Sequence, residues 1–231
     1  MNKNNCDLIQ PRQMRKIKPT RRSVSGHHVF RGSTSIAYES TLERDFIIRN
    51  EFNLKVQNII PQPVQMSFIK NGCKYPYTPD FLVYYRSSNT NGDFYAKPML
   101  VEVKPRSQIQ AHWSEWRDKY RTAFHYAKEQ GWDFKIYDES RIRDQVLKNI
   151  TFLARFRYQQ FSRNENHAVI EMVKQLGKIS VHDLLAHHFE SISKSQSLAH
   201  IWHLLVSRQL DCDMSVTLSE MTELWIPNLY E

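Results

Sequence analysis

A short apolar stretch of the chain, MLVEVKP at residues 99–105, carries one acid and one base in its interior. Because side chains alternate across a strand, Glu102 and Lys104 point to one face of it while Val101 and Val103 point to the other. A salt bridge on a half-exposed strand is the simpler interpretation of this stretch alone, because structural ion pairs are common. The alternative is a pair brought together for chemistry.

Asp80 begins the strand DFLVYY that precedes this one. If the two strands are neighbours, Asp80 approaches Glu102, and two carboxylates about 4 Å apart repel by roughly 4 kcal/mol at an effective dielectric near 20. That is about three pKa units, so one carboxylate takes a proton or a cation lies between them. Hard divalent ions prefer oxygen ligands, and Lys104 on the same face can contact a metal-bound water or a charged transition state. The set therefore predicts metal-assisted phosphodiester hydrolysis.

The segments before residue 99 predict one helix and several strands. YESTLERDFIIRNEF is expected to form a helix. Its apolar stripe consists of Leu42, Phe46, Ile47 and Phe52. Strands follow within residues 64–85, where Asn71-Gly72 indicates a hairpin. Pro76 and Pro79 lack an N–H, so this part of the hairpin must lie on an edge or at a bulge.

A second helix is expected at residues 111–131, after the strand at 99–104 and before a strand at 133–138. The helically spaced side chains of this segment are interpreted as core rather than as a base-stacking platform. They are Trp113, Trp116, Tyr120, Phe124 and Ala127. The order helix, strands, helix, strand predicts an α/β sheet covered by helices.

The C-terminal part of the chain differs in pattern. A helical linker at about 141–162 is followed by three short amphipathic segments, which predict three helices. Two short strands are then expected within residues 211–226, and three small helices followed by a hairpin are typical of a winged-helix module. We therefore expect a basic N-terminal arm at 1–30, an α/β domain with its linker at 31–160 and a winged-helix-like domain at 161–231.

The net charge of +8 is concentrated in two stretches. PRQMRKIKPTRRS near the N-terminus contains no acid, and a second basic stretch covers residues 141–163. Such blocks often bind a polyanion, although a solvated surface with a disordered arm has the same composition. The chain has no apolar run long enough for a membrane span and no apolar signal region at its start. The three cysteines, Cys6, Cys73 and Cys212, suit a reducing cytoplasm and form no zinc pattern.

TPDFLV followed by LVEVKP resembles the PD-(D/E)xK nuclease core, with Asp80, Glu102 and Lys104 in the motif positions. Together with the upstream YESTLERDF, these motifs resemble the TnsA family, the endonuclease subunits of heteromeric cut-and-paste transposons. The resemblance covers roughly residues 24–140 by motif, and the winged-helix-like tail matches the two-domain plan of the family. It implies a restriction-endonuclease-like mixed sheet flanked by helices, followed by a small winged-helix-like domain.

The resemblance also implies a catalytic glutamate on the first helix, which maps best onto Glu43. Ser40-Thr41-Leu42-Glu43 is equally a capping-box sequence, in which Glu43 would only bond the N-cap backbone. Glu39, one turn earlier, is the alternative position. The catalytic set implied is Glu43, Asp80, Glu102 and Lys104. The metal ligands implied are Glu43, Asp80, Glu102 and Val103, with Mg²⁺ as the cofactor and Mn²⁺ as its substitute.

The resemblance implies partners as well. TnsA-like subunits cut the 5′ strands at transposon ends, a TnsB-type DDE transposase cuts and joins the 3′ strands, and a TnsC-type AAA+ ATPase regulates the assembly. In some such elements a CRISPR effector chooses the target. The expected location is the bacterial cytoplasm, on DNA. Two alternatives are a stand-alone restriction or repair nuclease and a non-catalytic DNA-binding assembly factor.

Several further residues have two interpretations. The histidines of the tail are expected to be surface or partner-facing rather than zinc ligands, because no cysteine or carboxylate set completes a site. They are His182, His187, His188, His200 and His203. Lys194 and Arg208 are candidates for contacts to DNA or to a protein partner. Arg106 either reaches the scissile strand or is a solvated charge, and Gln62 is a weak candidate for a position near the site.

Overall fold

The computed structural model describes residue 13 and residues 24–86, 96–189 and 193–228. The chain divides into two units, Met1–Arg141 and Ile142–Glu231. The elements up to the boundary are β1 (Gly26–Phe30), β2 (Thr34–Tyr38), α1 (Thr41–Phe52), β3 (Val56–Pro61), β4 (Met66–Lys70), β5 (Cys73–Tyr77), β6 (Phe81–Tyr85), β7 (Met99–Val103), α2 (Arg106–Glu129), β8 (Asp133–Tyr137) and α3 (Glu139–Ile142). Those of the second unit are α4 (Gln145–Leu153), α5 (Arg163–Leu176), β9 (Lys178–Ser180), α6 (Val181–His188), α7 (Lys194–Val206), β10 (Asp211–Cys212) and β11 (Glu223–Trp225).

A four-stranded mixed sheet in the order β3-β6-β7-β8 forms the centre of the first unit. The pairs β3–β6 and β6–β7 are antiparallel, whereas β7 and β8 are parallel and are connected through α2. Phe81 of β6 pairs with Val101 of β7, so the two motif strands are neighbours, which is the condition for Asp80 to approach Glu102. All five residues of β7 are buried, which fits a central strand covered on both faces.

Helices cover the two faces of this sheet. Phe46 of α1 stacks on Phe81 of β6 with 5.3 Å between the ring centroids. Leu82, the next residue of the strand, belongs to a buried cluster with Tyr120 and Ala123 of α2. Because neighbouring residues of a strand point to opposite faces, α1 and α2 lie on opposite sides of the sheet. The predicted mixed sheet flanked by helices is confirmed.

The hairpin of β4 and β5 is a separate two-stranded sheet that packs on α2. Its turn is Asn71-Gly72, with φ values of 50° and 75°, which confirms the hairpin signal. Pro76 pairs with Ser67 of β4. Because the sheet has only two strands, each strand is an edge, and the expected edge position of Pro76 is confirmed.

Three features of the first unit differ from the sequence expectations or were absent from them. Residues 26–30 form β1 and pair with β2, so this end of the predicted arm is ordered, while most of the arm lies outside the described residues. The strand β3 was not predicted, because VQNIIP has buried side chains in succession rather than alternating ones. Trp113 and Phe124 are about half exposed, since the face of α2 that meets the sheet follows Tyr120, Ala123 and Ala127. The interpretation as core holds for Tyr120 and Ala127.

The second unit contains the three predicted helices as α5, α6 and α7. The expected strands are present as β10 and β11, and β9, which was not predicted, pairs with β11 to complete a three-stranded sheet. Ser162 and Glu165 form a capping box at the start of α5, and Gly177 with φ 73° ends it. The predicted linker at 141–162 falls almost wholly within this unit. The comparison of this unit with a winged helix stays a prediction.

The interpretation of the tail histidines as surface residues is wrong for His200. Its ring is 4% exposed, stacks on Phe161 at 4.1 Å between centroids and hydrogen-bonds to Asn166. The physical reason is that α7 is buried along most of its length, so a histidine at this position packs in the core. Lys194 forms an ion pair with Glu220 at 2.7 Å, and Arg208 donates to Asp211 at 2.8 Å; both cations therefore have acidic partners within the unit.

Cys73 is exposed and Cys212 is buried, and both are free thiols, while Cys6 lies outside the described residues. In the part of the chain that the structure describes, no helix has the length and apolar character needed to cross a bilayer.

Candidate active site

Asp80 stands just before β6 and is fixed by the strands on both sides of it. Its carboxylate oxygen Oδ2 accepts hydrogen bonds from the Val103 N–H at 2.7 Å and from the Lys104 ammonium at 3.0 Å. Its main-chain carbonyl accepts from the Gln62 N–H, at 2.8 Å, where β3 ends. The register of the sheet therefore positions this carboxylate at the end of β7, next to the two motif residues of that strand.

Glu102 is buried, with 1% of its surface exposed, and three side chains contact its carboxylate. The Tyr77 hydroxyl donates to Oε2 at 2.9 Å. The ammonium groups of Lys119 and Lys104 lie 3.3 Å and 3.5 Å from Oε1. A buried carboxylate requires such partners, because an uncompensated charge in an apolar environment is costly.

Lys104 lies between the two motif carboxylates, since its Nζ atom is 3.0 Å from Asp80 and 3.5 Å from Glu102. The sequence prediction that these three groups meet on one side of the sheet is confirmed as geometry. Burial alone would lower the pKa of Lys104, but the surrounding carboxylates, Asp80 foremost, raise that pKa far above its ordinary value. The side chain is therefore an ammonium at neutral pH.

Ser40 caps α1, and Glu43 in the first turn of the helix bonds back to the Ser40 hydroxyl and to the backbone of Glu39, the residue before the cap, rather than to the N-cap backbone. Glu43 also acts electrostatically on this cluster. Its carboxylate accepts from the Glu39 N–H at 2.7 Å and from the Ser40 hydroxyl at 3.0 Å, while the Ser40 oxygen accepts from the Glu43 N–H. Burial, and next to it the charge of Asp80, raise the pKa of Glu43 to about 7, although Lys104 acts in the opposite direction. Glu43 therefore contributes both to the hydrogen bonds at the start of α1 and to the electrostatics of the candidate site.

The cluster brings the carboxyl groups of Glu43, Asp80 and Glu102 together with the ammonium groups of Lys104 and Lys119. Burial raises the pKa of Glu102, and the charge of Asp80 adds to the effect, although two ammonium groups are close. In the described residues, no three side chains of histidine, cysteine, aspartate or glutamate lie close enough together to hold a metal ion. Mg²⁺, however, is usually held by one or two carboxylates with water completing the shell. The donor set of Asp80, Glu102 and the Val103 carbonyl, which already accepts from Lys104 at 3.1 Å, fits a hard divalent cation.

A cavity of about 670 Å³ opens beside these groups, between the β4–β5 hairpin and α2. Its lining includes Glu39, Asp80, Glu102 and Lys104. Glu39, the alternative to Glu43, therefore lines the approach to the cluster. A cavity of this size can admit part of a ligand to the carboxylates.

Sequence reasoning missed Lys119 and Tyr77. Lys119 comes from the middle of α2 and Tyr77 from the end of β5, and no motif spacing connects either residue to Glu102. The one available signal was that Lys119 stands among aromatic residues, between Trp116 and Tyr120, on a helix that was expected to pack on the core. That pattern is compatible with a solvated lysine, so the sequence alone could not have identified the contact.

Gln62 and Arg106, the weaker candidates, are placed differently. Gln62 is buried beside Asp80 and adopts a left-handed φ of 47°, a conformation that costs energy outside glycine. Its Oε1 atom has no hydrogen-bond partner among the described residues. Arg106 begins α2, and its N–H donates to Glu139 at 2.9 Å.

Comparison with known families gives two matches. The family model for the N-terminal domain of TnsA-like endonucleases matches residues 53–139, and that for the C-terminal domain of TnsA endonucleases matches residues 141–214. The first match includes Asp80, Glu102, Lys104 and Lys119, whereas Glu43 precedes it. No curated protein sequence matches the chain.

Proposed function

Because the chain belongs to the TnsA-like endonuclease family, we propose that it is the endonuclease subunit of a heteromeric transposase and cuts the 5′ strands at transposon ends. The reaction is hydrolysis of a phosphodiester bond. The observation that carries this proposal is the Lys104 ammonium, which lies within 3.5 Å of both Asp80 and Glu102 in the segment that matches the endonuclease domain. The ammonium is suited to a negatively charged phosphate, and the two carboxylates are suited to a divalent cation.

The residues that would hold a divalent cation are Asp80, Glu102 and the Val103 carbonyl, with Glu43 as the ligand from α1. Nucleases of this kind generally depend on a divalent metal, and oxygen donors favour Mg²⁺, with Mn²⁺ as a substitute. When bound, such an ion supplies Lewis acidity and an activated water.

Lys104 has the most direct role among the chain's own groups. Its ammonium is held by Asp80 and Glu102 and remains charged at neutral pH, so it can stabilise the negative charge that develops on the phosphate. The Val103 N–H donates to the Asp80 carboxylate, and the Gln62 N–H donates to the Asp80 main-chain carbonyl. These two bonds keep Asp80 in place when the Lys104 ammonium interacts with the substrate.

The DNA substrate is a transposon end, and the basic side chains of the second unit support DNA binding. Arg143, Lys148 and Arg155 line a cavity of about 390 Å³ along α4, and the guanidinium of Arg155 lies over the Phe152 ring at 4.7 Å. Clustered cations of this kind bind phosphates by releasing counterions. These residues belong to the second basic stretch of the sequence.

The further partners proposed follow from the family. They are a TnsB-type DDE transposase for the 3′ strands and a TnsC-type AAA+ ATPase, with a CRISPR effector in some elements, all acting on DNA in the bacterial cytoplasm.

The test is Asp80→Ala in a reaction that contains the transposase and the ATPase. We expect 5′-strand cleavage to disappear while 3′-strand joining continues. Asp118→Ala on α2, which removes an aspartate paired with its neighbour Arg117, serves as the matched control and should cleave normally. Persistent 5′ cleavage by the Asp80→Ala protein would show that the site is assigned wrongly.

A further inference from the structure

The ammonium of Lys119 is enclosed by aromatic rings and one carboxylate. Its Nζ atom lies 4.3 Å from the centroid of Trp116, 4.9 Å from that of Tyr120 and 5.2 Å from that of Tyr77. The carboxylate is that of Glu102, at 3.3 Å. The side chain is only 15% exposed, so this charge is directed into the site rather than into solvent.

These contacts fix the position of the ammonium. A cation is attracted to the face of an aromatic ring, and the attraction grows when water is excluded. Two of the rings come from α2 itself and the third from β5, so the helix and the hairpin hold the charge from two sides. Lys119 is therefore less able to leave Glu102 than a lysine with a solvated head group.

The two lysines at Glu102 differ in their other partners. Lys104 also contacts Asp80 and the Val103 carbonyl, whereas Lys119 has aromatic rings around it. Tyr77 connects the two sets, because its hydroxyl donates to the other oxygen of Glu102. One oxygen of this carboxylate thus has two ammonium partners and the other has a hydroxyl.

We infer that Lys119 is a positioning residue of the nuclease site: with Tyr77 it holds the buried Glu102 carboxylate in the orientation that a divalent cation requires. Lys104 is then available to Asp80 and to the substrate phosphate. The inference rests on the proposed function, since it requires Glu102 to be a metal ligand. Partners in the outer shell of a metal site orient its ligands, and their loss typically lowers metal affinity or activity 10- to 100-fold.

The experiment measures Mn²⁺ binding to the full chain by titration calorimetry, without DNA. Lys119→Met retains the stem that packs on the rings but removes the charge, and we expect Mn²⁺ affinity to fall at least tenfold. Lys119→Arg keeps the charge and should recover most of that loss. Lys128→Met, at an exposed position of the same helix, is the control and should bind as the parent does.

A Lys119→Met protein that binds Mn²⁺ as tightly as the parent overturns the inference. Methionine keeps the packing of the side chain on the rings, so equal affinity would mean that Lys119 acts only through packing. Should this variant fail to fold, Lys119→Leu provides the same comparison, since leucine is also apolar and cannot donate to Glu102. Failure of the proposed function gives a different result: the parent chain itself would not bind Mn²⁺, or Asp80→Ala would bind it equally well.

Discussion

Lys104 donates to Asp80 through its ammonium, with 3.0 Å between Nζ and Oδ2, although Lys104 follows β7 and Asp80 precedes β6. The Val103 N–H donates to the same oxygen at 2.7 Å. The main chain of the last residue of β7 and the side chain of the residue after it therefore converge on one carboxylate, that of the residue before β6. This arrangement needs the antiparallel register in which Phe81 pairs with Val101, so the site depends directly on the pairing of the sheet.

Replacing Lys104 by methionine is expected to abolish cleavage and to lower stability. The change leaves Asp80 and Glu102 close together without their shared cation, and an unpaired buried charge typically costs 3–5 kcal/mol. Because 24% of the Lys104 side chain is exposed, we expect a smaller loss, about 2 kcal/mol, in the free energy of unfolding by urea. Lys135→Met, at an exposed position of β8, should leave both quantities unchanged. Normal cleavage by the Lys104→Met protein would contradict its assigned role.

Glu43→Gln separates the capping role of this residue from its role in the site. Glutamine can still accept a hydrogen bond from the Glu39 N–H, so we expect α1 to remain intact and the melting temperature not to fall. The change replaces a proposed carboxylate ligand of the cation by a neutral amide, so cleavage should decrease at least tenfold. Glu39→Gln is the matched comparison, since Glu39 is the alternative ligand. Loss of cleavage in the Glu39 variant alone would assign the helix ligand to Glu39.

The sequence predicted the parts of the site that follow from strand geometry. Glu102 and Lys104 are two residues apart, so alternation alone places them on one face, and the neighbouring strand contributes Asp80. Lys119 could not be predicted in this way, because its contact depends on how far along the sheet α2 packs and on a tyrosine from a separate hairpin. Side-chain contacts between distant elements have no fixed sequence spacing.

The strand β3, which was not predicted, and His200, which was placed wrongly, have the same kind of explanation as Lys119. β3 is buried on successive residues, as strands covered on both faces are, and therefore lacks the alternation that indicates a strand. His200 was expected at the surface or facing a partner because no cysteine or carboxylate set completes a zinc site with it, yet Phe161 and Asn166 give its ring both packing and a hydrogen-bond partner. In both cases the burial of the side chains depends on tertiary packing, and the local sequence pattern does not show that packing.

Divalent cations should stabilise the folded chain. An ion that binds only the folded state adds RT ln(1 + [L]/Kd) to stability, which is about 2.7 kcal/mol at one hundred times the Kd. We therefore expect Mn²⁺ to raise the melting temperature of the parent, and chelation to reverse the rise. Asp80→Asn, which keeps the shape of the side chain but removes its charge, should abolish the shift. An equal Mn²⁺-dependent rise in this variant would locate the binding elsewhere.

His200 is expected to make the second unit sensitive to acid. Burial lowers the pKa of His200 to about 4, and the charges of His203 and His188 act in the same direction while Glu165 opposes them. The unfolded chain therefore takes up the proton first as the pH falls below about 6.5, and stability declines between roughly pH 6.5 and 4. At 1.36 kcal/mol per pKa unit the loss is at most about 3.4 kcal/mol.

The measurement is the free energy of unfolding of the second unit's transition at pH 7.5 and at pH 4.5. His200→Gln can still donate to Asn166 but cannot be protonated, so its stability should depend less on pH even though the loss of stacking on Phe161 lowers it at every pH. His187→Gln, at an exposed position of α6, should retain the pH dependence of the parent. If the parent and the His200→Gln protein lose the same free energy between the two pH values, protonation of His200 is not the cause, because only the parent carries the titrating ring at that position.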